Sequence, residues 1–197
     1  DDSFEQYWNS RGKNLRHNLN RLFNKLEREG IAPRLVTVTD GAELGPAVDQ
    51  FGLLESSGWK GREGTALHPD NEQGRFYREL MELYGGKEEA KVYQLFFGDD
   101  VVASDLCLHR DGVLVVLKTT YDENFSKISP ATVMRKMMAQ DLFDSGSCRA
   151  IEFYGRAMQW HRQWTDEIRT MYHVTQYRYG ILKKLLFRRA AKSNEQA

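Results

Sequence analysis

The chain has 197 residues, enough for one well-filled core and short for two. Apolar residues make up 41% and charged residues 28%, a globular balance that excludes a chain too polar to fold. Lysine plus arginine (28) equals aspartate plus glutamate (28), so no global field points to nucleic acid or membrane, and no apolar run approaches the ~20 residues of a membrane span.

The chain begins Asp1-Asp2-Ser3, without an initiator methionine or a secretory signal pattern, directly before a helix. It is therefore expected to be an excised domain of a longer protein. Ser3 reads as an N-cap, with Glu5 and Gln6 in the first turn. Leu15, Leu19, Leu22 and Leu26 recur at helical spacing, which predicts an N-terminal amphipathic helix over 1–30 that ends at Gly30. Its basic residues (Arg11, Lys13, Arg16, Arg21, Lys25 and Arg28) read as a solvated face, with a partner or tRNA surface as the alternative. Pro33 opens a β-branched strand, Arg34–Val38. Asp40 caps a second helix through Leu44, Val48, Phe51, Leu54 and Glu55. The glycine-rich run Ser57–Thr65 lacks periodicity and reads as an ordered loop. Asn71 or Asp70 caps a third helix carrying Phe76, Leu80, Leu83 and Tyr84.

Three β-rich runs follow, Val92–Phe97, Val101–Leu108 and Val113–Thr119. Gly98-Asp99-Asp100 separates the first two and Asp111-Gly112 the last two, a strong hairpin signal. They predict an antiparallel meander. Ser129-Pro130 then starts a helix with proline at its first position and an apolar face of Val133, Met137, Met138, Leu142 and Phe143. It stops at Ser145-Gly146. A short strand, Ala150–Tyr154, comes next and is expected to run parallel to its neighbour across the helical crossover. A further strand at about Thr170–Tyr177 and a basic C-terminal helix and tail over 181–197 complete the chain. Cys107 and Cys148 fit no metal or redox spacing, so a reduced, cytoplasmic setting and no metal are expected.

The helix opening at Pro130 presents free N–H groups and a positive dipole end that can bind a phosphate, and the small residues Ser129, Ala131 and Thr132 permit close approach. No serine–histidine or cysteine–histidine arrangement is visible. Asp105 lies mid-strand, where an acid is unfavourable unless paired, functional or turned to solvent. Lys118 interrupts an apolar strand, as a phosphate or acceptor contact or as a side chain snorkelling at the sheet edge. His109 and His161 read as structural.

The run Leu117-Lys118-Thr119-Thr120-Tyr121-Asp122-Glu123-Asn124-Phe125, with Ser129-Pro130 after it, resembles the "LK-x-x-YDE-x-F…SPG" signature of one GNAT branch. That branch is the CelD-type acyltransferase domain of bacterial polysaccharide-biosynthesis proteins, related to FemAB-type transferases. Phe51-x-x-Leu54-Glu55-x-x-Gly58-Trp59-Lys60-Gly61 resembles the same family's "LE…WKG" segment. The first helix, Phe153-Tyr154-Gly155 and Trp164 also fit, so the resemblance runs from about Arg11 to Tyr179. The family's glycine after Ser-Pro is Ala131 here, and the repeated glycines of the better-known GNAT phosphate loop are absent.

The resemblance implies an α/β (α+β), GNAT-like fold with a central mixed, mostly antiparallel sheet and flanking helices. It implies a single acyltransferase domain over 1–197, the C-terminal half of a longer protein whose missing half contributes a partner domain. The implied reaction moves an acyl group from acyl-CoA (acetyl or longer) to an amine on a small molecule or glycan, such as a sugar or polysaccharide precursor. Leu117, Lys118, Thr119, Ser129, Pro130, Ala131 and Thr132 are implied as donor contacts. Asp122, Glu123 and Asp105 are candidates for the base or the amine anchor; for Asp122 and Glu123 the competing reading is a loop or helix-capping pair. Trp59, Lys60, Tyr121 and Tyr154 are candidates for the acceptor pocket, against simple core packing. The alternatives are a FemAB-like transferase that takes its group from aminoacyl-tRNA, and a non-catalytic scaffold in exopolysaccharide assembly.

Overall fold

The computed structural model describes residues 3–170 and 172, and its first departure from the sequence reading comes at Arg11-Gly12. The N-terminal stretch is two helices, α1 (Phe4–Ser10) and α2 (Lys13–Arg28). Arg11 is extended (φ −72°, ψ 153°) and its N–H donates back to Trp8 O, while Gly12 becomes the N-cap of α2. Glycine is among the poorest helix formers, so the chain turns there rather than continuing. The leucine stripe behaves as expected: Leu15, Leu19, Leu22 and Leu26 are the buried residues of α2.

After β1 (Pro33–Val38), Asp40 caps α3 (Gly41–Ser57) by accepting the Ala42 N–H at 2.9 Å. The expected glycine-rich loop contains a helical turn, α4 (Trp59–Arg62). Gly61 permits it: a Cβ there would lie 1.8 Å from Ser56 O, so only glycine lets the turn fold back against the end of α3. Asn71 caps α5 (Glu72–Gly85), accepting the Gly74 N–H at 2.8 Å. Of the apolar stripe expected on α5, Tyr84 packs inward but two members do not. Phe76 and Leu83 are exposed, whereas Met81 is buried with Tyr77 and Tyr84 packed beside it. Gly74 and Gly85 set that rotation by seating the helix against the His68 carbonyl and the Leu44 side chain.

The meander is β2 (Ala90–Phe97), β3 (Asp100–Arg110) and β4 (Val113–Tyr121), followed by a 3₁₀ turn (Glu123–Ile128), α6 (Pro130–Ser145) and β5 (Ala150–Phe153). Asp111 (φ 51°) and Gly112 (φ 71°) form the two-residue turn with positive φ at both positions that the sequence announced. The sheet order is β1-β2-β3-β4-β5, antiparallel throughout except for the parallel β4–β5 pair. Helices α2 and α6 pack on one face, over a core that includes Tyr93, Leu95, Cys107, Leu114 and Val116. Helices α3 and α5 cover the other face, over Val92 and Leu106. The described residues up to Asp166 form one compact unit, which holds all these elements. Apart from Thr170 and Tyr172, the strand expected at about Thr170–Tyr177 lies outside the described residues, as does the helix expected from Ile181. Among the described residues, no helix is long and apolar enough to cross a membrane.

Candidate active site

The site begins where β4 and β5 part. They pair from Val113↔Ala150 to Val116↔Phe153, and one further bond runs from the Tyr154 N–H to Val116 O at 3.0 Å. β5 ends there, while β4 continues for five residues to Tyr121. The parting coincides with a β-bulge. On β3, Leu106 faces Lys118 and Cys107 faces Val116, so Leu117 has no counterpart. A bulge bends its strand and increases the local twist. It also changes which numbers face which layer. Before it, Leu114 and Val116 lie in the α6-side core. After it, Thr119 reaches α6 while Lys118 points to α5 and α3.

Alongside β4, past the end of its pairing with β5, lies a cavity of about 370 Å³, the wedge, lined among others by Thr119 and Tyr121 of β4, Ser129, Ala131, Thr132 and Arg135 around α6, and Trp59, Lys60 and Trp160. Its size falls in the ~300–1,000 Å³ range of small-molecule sites. At its rim, Ser129 sits in the left-handed region (φ 51°, ψ 63°) and turns the chain into α6. The turn offers fewer free amides than the sequence promised. Pro130 has none, and the Thr132 and Val133 N–H groups both donate to Ser129 O, at 2.9 and 3.2 Å. Ala131, in the first turn of α6, has one of the N–H groups for which a helix supplies no carbonyl of its own.

Arg135 and Asp105 form the floor. Arg135 Nη1 donates to Asp105 Oδ2 at 2.5 Å and Nη2 to Thr119 Oγ1 at 3.2 Å; both charged side chains are buried. Burial raises the Asp105 carboxyl above its ordinary value, and the Arg135 charge and the nearby Thr119 hydroxyl oppose the rise. No hydrogen bond of proper geometry reaches Asp105 Oδ1, which is buried. The guanidinium carbon lies 4.9 Å from the ring centre of Phe153 and 5.7 Å from that of Trp160.

Beside the wedge is a small recess lined by Glu55, Gly58, Trp59, Lys60, Thr120 and Glu123, among others. Glu123 Oε1 accepts the Trp59 N–H at 2.8 Å and Oε2 accepts Arg62 Nη2 at 2.9 Å. The Arg62 bond first, and then the Trp59 N–H, lower its pKa. Asp122 caps the 3₁₀ turn, its Oδ1 accepting the Asn124 N–H at 2.8 Å. Glu55 is buried between two cations. It binds Lys60, lies 3.7 Å from Lys118, and accepts the Leu67 N–H at 2.7 Å. Burial lowers the Lys118 pKa, partly offset by Glu55.

Among the residues named from the sequence, Thr119, Ser129, Ala131, Thr132, Trp59, Lys60 and Tyr121 therefore meet at one cavity. Glu123 is at its side and Asp105 beneath it, one residue removed. Leu117 is the bulge, Pro130 belongs to the turn, and Lys118 lies on the opposite face of the sheet. Tyr154 is largely exposed and does not line the wedge. Arg135 is the residue the sequence reading passed over. Its signal was present: Arg135, Ala139 and Leu142 share the buried face of α6, and a mid-strand acid such as Asp105 requires a cation. Among the described residues, no cluster of three or more histidine, cysteine, aspartate or glutamate side chains is arranged to hold a metal.

Residues 13–162 match a protein family described as "Acetyltransferase (GNAT) domain". No curated protein matches the chain. Among solved structures, an aminoglycoside N-acetyltransferase, AAC(6')-Iy, in complex with CoA is similar with a TM-score of 0.51 and 11% identity, over 76% of this chain and 97% of that one. A possible acetyltransferase from Clostridium difficile 630 gives 0.51 and 13%, over 75% and 97%. An aminoglycoside acetyltransferase from an uncultured soil metagenomic sample, in complex with sisomicin, gives 0.50 and 8%, over 73% and 97%. At these identities the likeness is one of fold.

Proposed function

Since the chain belongs to the GNAT acetyltransferase domain family and is an acyltransferase, we propose that it moves an acyl group from acyl-CoA to an amine on a sugar or polysaccharide precursor. The observation that carries this reading is the opening beside β4 once β5 has ended, a cavity bordered by Thr119, Tyr121 and the first turn of α6. Beyond Val116 the edge of β4 is unpaired with β5, so its backbone can bond the amides of a pantetheine arm laid along it, as a missing strand would. At the rim, the Ala131 N–H and the Ser129 and Thr132 hydroxyls receive the donor's phosphates, a lighter grip than a glycine-rich loop gives. The thioester then lies inside the wedge, away from bulk water, where N–H donors act most strongly on a developing oxyanion.

The acceptor approaches from the Trp59, Lys60 and Tyr121 side, where aromatic surface suits a sugar ring. Glu123, kept anionic by Arg62 and the Trp59 N–H, anchors the acceptor's ammonium rather than serving as the base. Asp105 acts through Arg135, and Asp122 shapes the turn that carries Glu123. The CelD-type branch is inferred from the Leu117–Phe125 and Phe51–Gly61 motifs. A cytoplasmic location fits two free cysteines, and a preceding partner domain fits that branch.

The test is a transfer assay with acetyl-CoA and longer acyl-CoAs against a panel of amino sugars, following free thiol and acylated product together. Amine-dependent thiol release with matching product is expected. Thiol release independent of the amine, or transfer only from aminoacyl-tRNA, would contradict the reading.

A further inference from the structure

We infer that Arg135 is a catalytic residue of this chain, the cation that receives the thioester oxygen as the acceptor nitrogen attacks. The inference rests on the acyl-CoA reading above and adds to it a side-chain donor inside the wedge. Arg135 sits where β4 and β5 separate. Its guanidinium bonds Thr119, past the last residue of β4 that pairs with β5, and packs on Phe153, the last residue of β5. A donor laid between the two strands passes over this side chain, which lines the cavity.

Chemistry distinguishes it from an ordinary core contact. A guanidinium has five N–H donors in a fixed fork. The hydrogen bonds to Asp105 and Thr119 engage one donor each. A buried ion pair adds little stability over apolar residues of the same size, so its presence under a ligand cavity points to use. Asp105 fixes the plane of the fork from below and keeps the resting site near neutrality. The cation therefore favours the charged intermediate over the uncharged thioester, which is the difference that raises kcat.

The step balances without a further reactant. The amine nitrogen bonds to the carbonyl carbon, and the C=O π pair moves onto oxygen, where the Arg135 N–H groups receive it. The pair returns as the C–S bond breaks, and the proton leaving nitrogen ends on the CoA sulfur. Arg135→Ala is expected to bind CoA within about threefold of the wild type, because CoA has no acyl oxygen. Its kcat is expected to fall by ~10²–10³, the size of losing one oxyanion donor. Guanidinium ion added to the assay should restore part of that rate, a rescue that a merely structural arginine would not show.

One measurement needs no variant. S-carboxymethyl-CoA, a stable thioether that puts a carboxylate oxygen at the acyl position, should bind the wild type about tenfold more tightly than CoA, or ~1.4 kcal/mol. Equal affinity for the two would overturn the role, and so would a folded Arg135→Ala that keeps its kcat. If CoA itself fails to bind the wild type, the donor reading falls and this inference with it. If CoA binds and only the carboxylate preference is missing, this inference alone fails.

Discussion

Glu123 is held by two donors, the Trp59 N–H and Arg62, that reach it from the turn after α3. Both bind the ionised carboxylate, so its folded pKa lies below the usual 4.5. The folded chain then binds fewer protons at this site than the unfolded one. The resulting stabilisation is complete above the unfolded value and is lost as pH falls through the folded one. Denaturant unfolding of the wild type and Glu123→Gln at stepped pH should show a constant gap at neutral pH that closes on acidification below about 4.5. A gap independent of pH would mean that the carboxylate is not engaged as described. The sequence named Asp122 and Glu123 together but could not separate them, because the difference lies in partners roughly 60 residues away for Glu123 and two residues away for Asp122. Asp105 was legible as an anomaly, an acid inside a strand; its partner needed the register of β3 against α6.

The bulge at Leu117 organises β4. It lies at the point where β5 departs, and it lets Lys118 and Thr119 face opposite layers while Thr119 shares the face of Val116. Deleting Leu117 leaves that facing unchanged, because the bulge residue is the extra one, but removes the bend. The variant should fold with a melting temperature close to the wild type, while the wedge narrows and affinity for acyl-CoA falls by about tenfold or more, ~1.4 kcal/mol. Calorimetric titration checks this, and undiminished binding would show that the bulge does not open the site. Hairpin turns and helix caps were readable in the sequence because their chemistry is local: Asp111-Gly112, Asp40 and Asn71 act on residues within three positions. The bulge was not readable, since an alternating strand with one extra residue looks continuous until it is paired. The face of α5 was misplaced for a similar reason. Phe76 and Leu83 outweigh Gly74 and Gly85 on any hydrophobic scale, yet close backbone approach at the glycines decided the rotation.

Among the described residues two helical layers cover one sheet, and apart from the added turn α4 the element order from β1 to β5 follows the sequence reading. The N-terminal segment is integral to this arrangement. Leu15, Leu19, Leu22 and Leu26 share a core with α6 and the meander, which accounts for the regularity of that stripe. Its break at Gly12 was less visible because every leucine of the stripe lies beyond it. The family match runs from α2 to the 3₁₀ turn at His161–Gln163 and so takes in the whole five-stranded sheet. We propose that the acyl donor binds in the gap beside β4 where β5 ends. A crystal structure of the chain with CoA tests it most directly. The expected result is a pantetheine arm lying along Leu117–Tyr121, with its sulfur above Arg135 and its phosphates at Ser129–Thr132. CoA bound on another face, or a wedge that stays filled by Trp160 and Trp164 with the ligand excluded, would contradict it.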